Sequence, residues 1–429
     1  MPPIPRSEPH CASYYAATRN IESIYSPLAG DVRSDVCVIG GGFTGVSTAL
    51  TLAERGYCVT LLEQNRIGWG ASGRNGGQII GGFSGESQLA KYWGGKYDDM
   101  IFEIGYRGHD IIAERVQKYG IECDLKSGYI DVAVKKSHLK SLREWHEELC
   151  AYGMEDKVRL VDGKEMPSVV GTDCYLGGMI NNRNGHVHPL NLCVGEAAAA
   201  ADLGVSIHEE SPVSSIQHGS KPVVITPNGR VTADFVVMAG NAYQRLEQRA
   251  LSGLMFPAGS YIIATEPLSE EEASAINPLD LAICDQNALV DYFRLSADRR
   301  LLFGGRCNYS GKVPRDITAS MMPRMLKVYP QLVGKRIDYS WGGNIGIVVN
   351  RVPLLGRVKP NVFYSMGYSG HGVNVTHVCG EILADAISGT FERMDIFAEM
   401  PHTRFPLGQW MGGQMVALGM LYYRMRDLM

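Results

Sequence analysis

The sequence lacks long hydrophobic runs, an excess of charge of one sign and any closely spaced pair of cysteines. Lys and Arg number 41 and Asp and Glu 45, a net charge of −4, so nucleic acid is not expected as the main partner. The 10 cysteines form no C-x-x-C pair, which argues against a redox dithiol and a cysteine-ligated metal site. The N-terminal residues contain no apolar segment typical of secretory signals, so we expect a cytoplasmic protein without a disulfide framework.

The most apolar stretch near an end of the chain runs from Trp410 to Tyr423. It is too short to cross a bilayer as a helix, and Gly412 and Gly413 interrupt it. We therefore expect a C-terminal helical tail over residues 401–429 that packs on the protein. Membrane association through this helix is the alternative.

Glycine is the residue in excess, with 50 of 429 residues, and its members are clustered. The first cluster, Gly40–Gly45, stands between two apolar runs, Asp35–Ile39 and Cys58–Leu62. The runs predict buried parallel strands, and the spacing of apolar residues from Val46 to Gly56 predicts a helix between them. The sequence therefore predicts a β-α-β unit.

The first glycine cluster has the G-x-G-x-x-G pattern of a dinucleotide-binding loop. Gly40 allows the tight turn, Gly42 lets the backbone approach a pyrophosphate, and Gly45 allows close packing of helix and strand. Glu63, at the end of the second strand, can accept hydrogen bonds from a ribose diol and would repel the 2′-phosphate of NADP. A glycine turn that serves packing alone is the alternative, and the pattern does not separate NAD from FAD.

Two further glycine clusters decide between the cofactors. Gly68–Gly77 comes soon after Glu63, Gly367–Gly372 opens the last predicted helix, and the strand Ala233–Gly240 ends in Ala-Gly. Together these segments resemble the FAD-dependent amine and amino-acid oxidoreductases of the D-amino-acid oxidase superfamily, which includes glycine oxidase and sarcosine oxidase. The resemblance covers about residues 30–395.

The resemblance implies an α/β fold with a Rossmann-type FAD-binding domain and an interleaved substrate domain built on an antiparallel sheet. We expect residues 1–90, 155–248 and 335–400 to form the FAD-binding domain, with residues 1–30 as an arm over the surface. Residues 91–154 and 249–334 are expected to form the substrate domain. Helices are predicted over residues 88–120, 137–152, 189–203 and 373–388.

The resemblance also assigns segments to parts of FAD: Gly40–Gly45 to the pyrophosphate, Glu63 to the adenosine ribose and Ser72–Gln78 to the flavin ring and ribityl chain. The N-terminus of the last helix, at Gly370–Gly372, is expected at the flavin pyrimidine, where its amides would stabilise the charge of the reduced flavin. The full expected set is Gly40, Gly42, Phe43, Thr44, Gly45, Glu63, Gln64, Gly70, Ala71, Ser72, Arg74, Asn75, Gly76, Gly77, Gln78, Val213, Gly240, Gly343, Gly370, His371, Gly372 and Val373. No cysteine lies between residues 307 and 379, where the family places its covalent link, so non-covalent FAD is expected.

Four strings look closest to the γ-glutamyl-polyamine oxidoreductases of this superfamily: Gly70–Gln78, Trp341–Asn344, Arg351–Gly356 and Gly367–Val373. This resemblance implies oxidative deamination of the free primary amine of a γ-glutamyl-polyamine such as γ-glutamylputrescine, in polyamine catabolism. Hydride would pass from the carbon bearing nitrogen to flavin N5, giving an aldehyde and ammonia. A sarcosine- or D-amino-acid-type oxidase and a flavin-binding subunit of a larger dehydrogenase complex stay open, as does an NAD-binding dehydrogenase.

Two positions depart from sarcosine oxidase. Asn374 matches the lysine that pairs with the substrate carboxylate there, so a site with Asn is poorer for an α-amino acid. Leu302 matches the lysine used towards oxygen there. The electron acceptor therefore stays open between O2 and a quinone or other acceptor.

The resemblance places Tyr292 and Arg306 on strands that face the flavin from the substrate side, and His371 in the flavin loop. Their alternatives are a core aromatic, a structural ion pair and backbone packing, respectively. Arg74 could contact the flavin, an acidic substrate tail or a loop carboxylate. No dedicated general base is assigned, because an apolar and aromatic site already favours the neutral amine.

One pair of histidines, His186 and His188, is spaced as two metal ligands on a strand would be. No third ligand is apparent, and Pro189 begins a helix directly afterwards. Helix capping or pocket lining is therefore favoured over a metal site, and no metal is expected.

Overall fold

The computed structural model describes residues 7–22, 24–287, 289–308 and 314–404, and only the backbone of residues 306–308. Within these ranges the strands form one sheet of eight strands and one of nine. The strands are β1 (Gly30–Ile39), β2 (Val59–Leu62), β3 (Gln78–Ile79), β4 (Lys126–Ala133), β5 (Val158–Asp162), β6 (Gly177–His186), β7 (Ser206–His208), β8 (Ser215–Gln217), β9 (Val223–Ile225), β10 (Gly229–Met238), β11 (Met255–Thr265), β12 (Ala282–Asp285), β13 (Asp291–Leu295), β14 (Leu301–Asn308), β15 (Ile337–Val348), β16 (Leu354–Lys359) and β17 (Val362–Met366).

The helices lie between these strands in the order expected of an α/β chain. They are α1 (Tyr14–Ala17), α2 (Phe43–Glu54), α3 (Glu86–Trp93), α4 (Asp98–Tyr119), α5 (Lys136–Ala151), α6 (Met166–Val170), α7 (Pro189–Asp202), α8 (Gln248–Leu251), α9 (Glu270–Ile276), α10 (Ile317–Val328), α11 (Gly372–Ile387) and α12 (Glu392–Ala398), with short 3-10 turns at Ala71–Gly73, Asn241–Tyr243 and Pro330–Leu332. None of the helices in the described ranges is both long and apolar enough to cross a membrane.

The first sheet is mainly parallel and has the order β16-β17-β10-β1-β2-β7, with β9 and β8 added beside β10. β17, β10, β1, β2 and β7 are parallel neighbours. The chain passes from β1 through α2 to β2, which confirms the predicted β-α-β unit. α2 contacts both α7 and α11, so three helices cover one region of this sheet.

The second sheet has the order β15-β11-β14-β13-β12-β4-β6-β3, with β5 paired to β6. Its neighbours are antiparallel except for the parallel pair of β12 and β4. β5, β6 and β15 belong to this sheet, although they fall inside the segments expected for the FAD-binding domain. Periodicity shows that a segment is a strand, but a strand's partners lie far along the chain, and the division into domains stays a prediction.

The two faces of the second sheet pack against different layers, because side chains alternate along each strand. Ile263 and Phe303 lie in a core that includes residues of α10, whereas their neighbours Ile262 and Leu302 lie in the core that includes β1 and α2. We call the face that carries Ile262 and Leu302 the inner face. It is the face of the second sheet that turns towards the first sheet and its helices.

Most of the helices that were predicted from the sequence begin and end close to the predicted positions. The helices predicted over residues 137–152, 189–203 and 373–388 correspond to α5, α7 and α11. The helix predicted over 88–120 is instead divided into α3 and α4, because Gly94 and Gly95 both have positive φ. The break lets α3 and α4 pack against each other.

The N-terminal arm is not confined to the surface. Tyr14 and Tyr15 are 4% and 0% exposed, and the Tyr15 ring packs edge-on against His188 and Trp341. A pair of aromatic residues therefore anchors the arm in the core. Of the tail predicted over residues 401–429, only residues 401–404 lie within the described ranges, where they form neither helix nor strand.

Candidate functional site

The parallel strands of the first sheet bring the separate glycine clusters to one edge. β1 ends at Ile39 before the Gly40–Gly45 loop, β2 ends at Leu62 before Glu63, and β17 ends at Met366 before Gly367. Because these strands are parallel, their carboxyl ends meet at the same edge of the sheet. In open α/β sheets this edge is where nucleotide cofactors bind.

The Gly40–Gly45 loop has the geometry that its pattern predicts. Gly40 has a φ of 114°, and a Cβ there would lie 2.8 Å from the carbonyl oxygen of Ala239. A Cβ on Gly45 would overlap the carbonyl oxygen of Gly40. Glycine is therefore required at both positions, by conformation at Gly40 and by close approach at Gly45.

The first turn of α2 has no side-chain cap from its own N-cap residue, Gly42. Instead, the amide of Phe43 donates to the Ser72 hydroxyl at 2.8 Å, and a Cβ on Gly42 would lie 2.9 Å from the same oxygen. Ser72 thus joins the second glycine cluster to the helix end where the positive dipole favours phosphate.

Glu63, at the end of β2, binds the Gly40–Gly45 loop through its carboxylate. Its Oε2 accepts from the amide of Gly41 at 2.6 Å and its Oε1 from the amide of Asn65 at 2.7 Å. Burial raises the pKa of Glu63, and the charge of Glu209 acts in the same direction. The carboxylate therefore lies beside the loop that the resemblance assigns to the pyrophosphate.

The second glycine cluster is shaped by its own side chains. Asn75 Nδ2 donates to the carbonyls of Ala71 and Ser72, and its Oδ1 accepts from the amide of Gly77. Gln78 donates from Nε2 to the carbonyl of Ile283 in β12 at 3.0 Å, which ties the loop to the second sheet.

Arg74 makes no ion pair with any described residue. Its guanidinium lies 4.4 Å from the Trp69 ring centroid and donates to the Trp69 carbonyl at 2.8 Å. A Cβ on Gly343 would lie 3.2 Å from the Arg74 side chain. The alternative of a loop salt bridge is therefore replaced by a cation–π contact.

His371 is the N-cap residue of α11, and its Nδ1 lies 2.9 Å from the Ser84 hydroxyl. Burial, followed by the charge of Arg351, lowers the pKa of His371 to about 4. The imidazole is therefore neutral at pH 7. On the other side of the loop, Thr44 Oγ1 lies 2.7 Å from the Tyr368 hydroxyl, which joins α2 to the third glycine cluster.

Tyr292 lies on the inner face, next to the second glycine cluster. Its ring would lie 2.6 Å from a Cβ on Gly76, and its hydroxyl lies 3.0 Å from Ser260 Oγ. Leu302, which the resemblance matches to the sarcosine oxidase lysine, is buried on the same face. Arg306 lies in β14, but its side chain is outside the described residues.

Three other sequence candidates have structural partners. Asn374 is 1% exposed and donates from Nδ2 to the Gly105 carbonyl at 2.6 Å. His188 Nδ1 accepts from the Asn191 amide and so caps α7, as favoured from sequence, while His186 Nε2 lies 3.0 Å from the Asp280 carbonyl. Among the described residues, no group of three His, Cys, Asp or Glu could hold a metal ion.

The remaining residues expected at the cofactor follow the same loops. Gln64 comes directly after Glu63, Gly70 and Ala71 open the Ala71–Gly73 turn, Val213 packs beside the core of the first sheet, Gly240 precedes the Asn241–Tyr243 turn, and Gly370, Gly372 and Val373 surround the start of α11. A Cβ on Gly370 would meet nothing within 4 Å. The contact of each residue with a cofactor stays a prediction.

Arg294, a buried arginine that supports the second glycine cluster, was not among the residues predicted from the sequence. Arg294 is 2% exposed, and its Nε donates to the Gly76 carbonyl while Nη2 donates to the Val187 carbonyl, both at 2.8 Å. Its other described partners are the Leu295 carbonyl and the Tyr15 hydroxyl. Arginine can satisfy several carbonyls at once through its five donors, so Arg294 positions the loop.

These features fit FAD. The glycine positions leave no room for a Cβ, so the backbone itself lines the loop. The N-terminus of α2 has no cap from its own N-cap residue and can receive a diphosphate, and Glu63 lies close enough to this loop to bind a ribose. An edge of this kind, facing the inner face of a mainly antiparallel sheet, is the arrangement expected of a flavin-dependent oxidoreductase.

Comparison with known proteins agrees with this class. The family model for FAD dependent oxidoreductases (DAO) matches residues 35–386, and the chain belongs to this family. It is 41% identical over 421 residues to γ-glutamylputrescine oxidoreductase of Escherichia coli (strain K12), covering 97% of this chain and 98% of that protein. It is 39% identical to the oxidoreductase OrdL of Haemophilus influenzae, covering 97% of each chain.

The fold is shared with solved structures at lower identity. Glycine oxidase from Geobacillus kaustophilus superposes with a TM-score of 0.72 and 20% identity, covering 87% of this chain and all of that one. The resemblance inferred from the glycine clusters is therefore confirmed, and the chain is an FAD-dependent oxidoreductase.

Proposed function

We propose that this enzyme oxidises the free primary amine of a γ-glutamyl-polyamine such as γ-glutamylputrescine, releasing an aldehyde and ammonia. The observation that carries the proposal is the 41% identity to the E. coli γ-glutamylputrescine oxidoreductase over 97% of this chain. The match includes both sheets, so it covers the residues that would select the substrate as well as those that would hold FAD.

Asn374 supports an amine over an α-amino acid. Its side chain is buried and already donates to the carbonyls of Gly105 and Gly82, so no cation stands there for a substrate carboxylate. A carboxylate placed beside this residue would lose water without gaining an ion pair. A substrate whose carboxylate lies far from the reacting carbon avoids that penalty.

The chain's own residues prepare the reaction by binding and orienting the amine. FAD, when bound, supplies the acceptor for the hydride. An alkylammonium has a pKa of about 10.4, so forming the neutral amine at pH 7 costs about 4–5 kcal/mol. Tyr292 lies between Gly76 and Ser260, where it can orient an amine beside the second glycine cluster. Orientation of this kind lowers the barrier by fixing the reacting atoms in position.

The proposal includes non-covalent FAD and a cytoplasmic location. It leaves the acceptor as O2, a quinone or another acceptor, and buried Leu302 in place of a lysine favours an acceptor other than O2. Denaturing the purified protein with acid should release all of its yellow colour into the supernatant. Colour that stays with the precipitate would contradict non-covalent binding.

Product analysis tests the proposed function. Purified enzyme with an artificial electron acceptor should release aldehyde and ammonia in equal amounts from γ-glutamylputrescine. Putrescine, sarcosine and D-alanine at the same concentration serve as controls and should react far more slowly. Faster turnover of sarcosine or D-alanine would favour the oxidase of an N-methyl or D-amino acid, and no turnover of any amine would favour a flavin-binding subunit.

A further inference from the structure

A buried carboxylate, Asp131, lies on the inner face of the second sheet, in line with Tyr292. The register pairs Gly304 with Tyr292, Tyr292 with Cys284 and Cys284 with Asp131. Paired residues on neighbouring strands point to the same face, so Asp131 and Tyr292 share the inner face, with Cys284 between them.

Asp131 is buried but only half satisfied. It is 4% exposed, and its Oδ1 accepts from Gln286 Nε2 at 2.7 Å and from the Tyr129 hydroxyl at 3.4 Å. Its Oδ2 is also buried and has no hydrogen-bond partner among the described residues. No described Lys, Arg or His forms an ion pair with Asp131.

A buried carboxylate without a cation is costly, so its presence needs a reason. Burial raises the pKa of Asp131 to about 7, and the hydrogen bonds from Gln286 and Tyr129 only partly oppose this shift. A positively charged ligand beside Oδ2 would supply both the missing hydrogen bond and the missing charge.

The paired residues Gly304, Tyr292, Cys284 and Asp131 lie side by side across the sheet, and Tyr292 contacts the second glycine cluster. The Tyr292 ring lies against Gly76 of this cluster. Gln78, which follows the cluster directly, donates to the carbonyl of Ile283, the residue before Cys284. On the other side, the charge of Asp131 acts on Tyr106, whose ring lies close to Gly81. Asp131 therefore lies on the inner face, between the residues that contact the second glycine cluster and Tyr106 of α4.

We propose that the Asp131 carboxylate binds an alkylammonium group of the substrate through Oδ2. This inference rests on the proposed function, because a γ-glutamyl-polyamine carries such a group at each end: the reacting amine and the α-ammonium of the glutamyl unit. If the bound group is the reacting amine, one proton moves from its nitrogen to Oδ2 before oxidation. The N–H bond breaks, an O–H bond forms, and the ion pair becomes a neutral acid and a neutral amine.

The test is the Asp131→Asn variant of the FAD-loaded enzyme. Asn keeps the size of the side chain and an acceptor for Gln286, but it loses the charge. We expect KM for γ-glutamylputrescine to rise at least tenfold, with FAD content unchanged. A KM within twofold of wild type would overturn the inference.

The matched control is Asp285→Asn. Asp285 is equally buried, at 4% exposed, and lies next to Cys284 on the opposite face of β12. Both of its oxygens accept hydrogen bonds from Asn287. This variant should leave KM within twofold of wild type, and a tenfold rise here would show that loss of any buried carboxylate disturbs binding.

The two sources of the ammonium are separated by a substrate that lacks the α-amino group, glutarylputrescine. If Asp131 binds the reacting amine, the variant raises KM for both substrates. If Asp131 binds the α-ammonium, the variant raises KM for γ-glutamylputrescine alone.

A measurement on the wild-type enzyme keeps the inference testable if the variant does not fold. If Asp131 binds the reacting amine, the analogue with a hydroxyl in place of that amine and no α-amino group should bind at least tenfold more weakly than glutarylputrescine. If Asp131 binds the α-ammonium, these two compounds should bind alike, and γ-glutamyl-4-aminobutanol should bind at least tenfold more tightly than either. Equal affinity of all three would overturn the inference. A wild-type enzyme that does not oxidise γ-glutamylputrescine would instead contradict the proposed function, and the inference would fall with it.

Discussion

The two sheets of this protein carry function in different ways. At the edge of the first sheet, the groups expected to bind FAD are mostly main-chain groups. Glycines and amides of short segments such as Gly40–Gly45 lie there, together with one carboxylate, that of Glu63. On the inner face of the second sheet, the residues proposed to bind the amine are side chains, and each has a partner well separated from it in the sequence. The comparison teaches that the same molecule has one site specified locally and another specified only by its fold.

The largest effect is expected at the first sheet, from Gly45→Val. A side chain there would overlap the Gly40 carbonyl and force α2 away from β1, so we expect FAD binding to be lost. Absorbance near 450 nm after purification measures it. Gly219→Ala is the control, since a Cβ there meets only Lys221 at 3.9 Å or more. Normal FAD content in Gly45→Val would contradict the claim that the glycine loop at the edge of the first sheet is needed to bind FAD.

Arg294→Lys tests whether distant side chains hold the second glycine cluster. Lysine keeps the charge but cannot reach the carbonyls of Gly76, Val187 and Leu295 together. We expect a loss of about 2–4 kcal/mol in the free energy of unfolding, with faster release of FAD. Urea unfolding and flavin fluorescence measure both. Arg159→Lys, at an exposed ion pair with Glu165, should cost less than about 1 kcal/mol. Equal losses in both variants would contradict the role given to Arg294.

Asp131→Asn should increase stability while it reduces activity. The pKa of Asp131 is raised to about 7 in the folded protein, so ionisation destabilises the fold as the pH rises from about 4 to 7. The variant avoids this loss, and its free energy of unfolding should exceed that of wild type by about 1–3 kcal/mol at pH 8 and by little at pH 4.5. Urea unfolding without substrate at the two pH values measures it. A variant less stable than wild type at pH 8 would show that the carboxylate is structural.

The smallest effect is expected from Tyr292→Phe. The ring against Gly76 and Gly304 is kept, and the contact of the hydroxyl with Ser260 is lost. We expect unchanged FAD content and a fall in kcat/KM of about threefold to tenfold, equivalent to about 1 kcal/mol. Tyr329→Phe, whose hydroxyl donates to Val170 in the other core, is the control and should leave kcat/KM unchanged. A loss of FAD from Tyr292→Phe would show that the hydroxyl supports the cofactor instead.

The same difference explains what could be predicted from the sequence. The Gly40–Gly45 loop, Glu63 and the start of α11 follow from short motifs, because their geometry is set by neighbours in the chain. Arg294 and Asp131 could not be found in this way. Their key partners, Gly76 and Gln286, lie 218 and 155 positions away.

Arg294 illustrates the limit most clearly. Both Arg294 and Arg306 lie in segments that the sequence predicts as antiparallel strands, and nothing in the local sequence shows which of the two arginines holds the second glycine cluster. The resemblance pointed to Arg306, while the fold shows that Arg294 holds the Gly76 carbonyl. Likewise, the sequence shows Asp131 as an aspartate among the apolar residues of β4, and this could have marked it as a candidate. Its oxygen without a hydrogen-bond partner is seen only when β4 and β12 are paired in the structure.

Anaerobic reduction of the bound flavin by γ-glutamylputrescine tests the central claim most directly, because it needs no electron acceptor and reports only on FAD and the amine. We expect the absorbance near 450 nm to bleach on mixing with γ-glutamylputrescine, and putrescine, sarcosine and D-alanine to cause little change at the same concentration. A flavin that γ-glutamylputrescine leaves oxidised would contradict the account, whichever other amine reduces it.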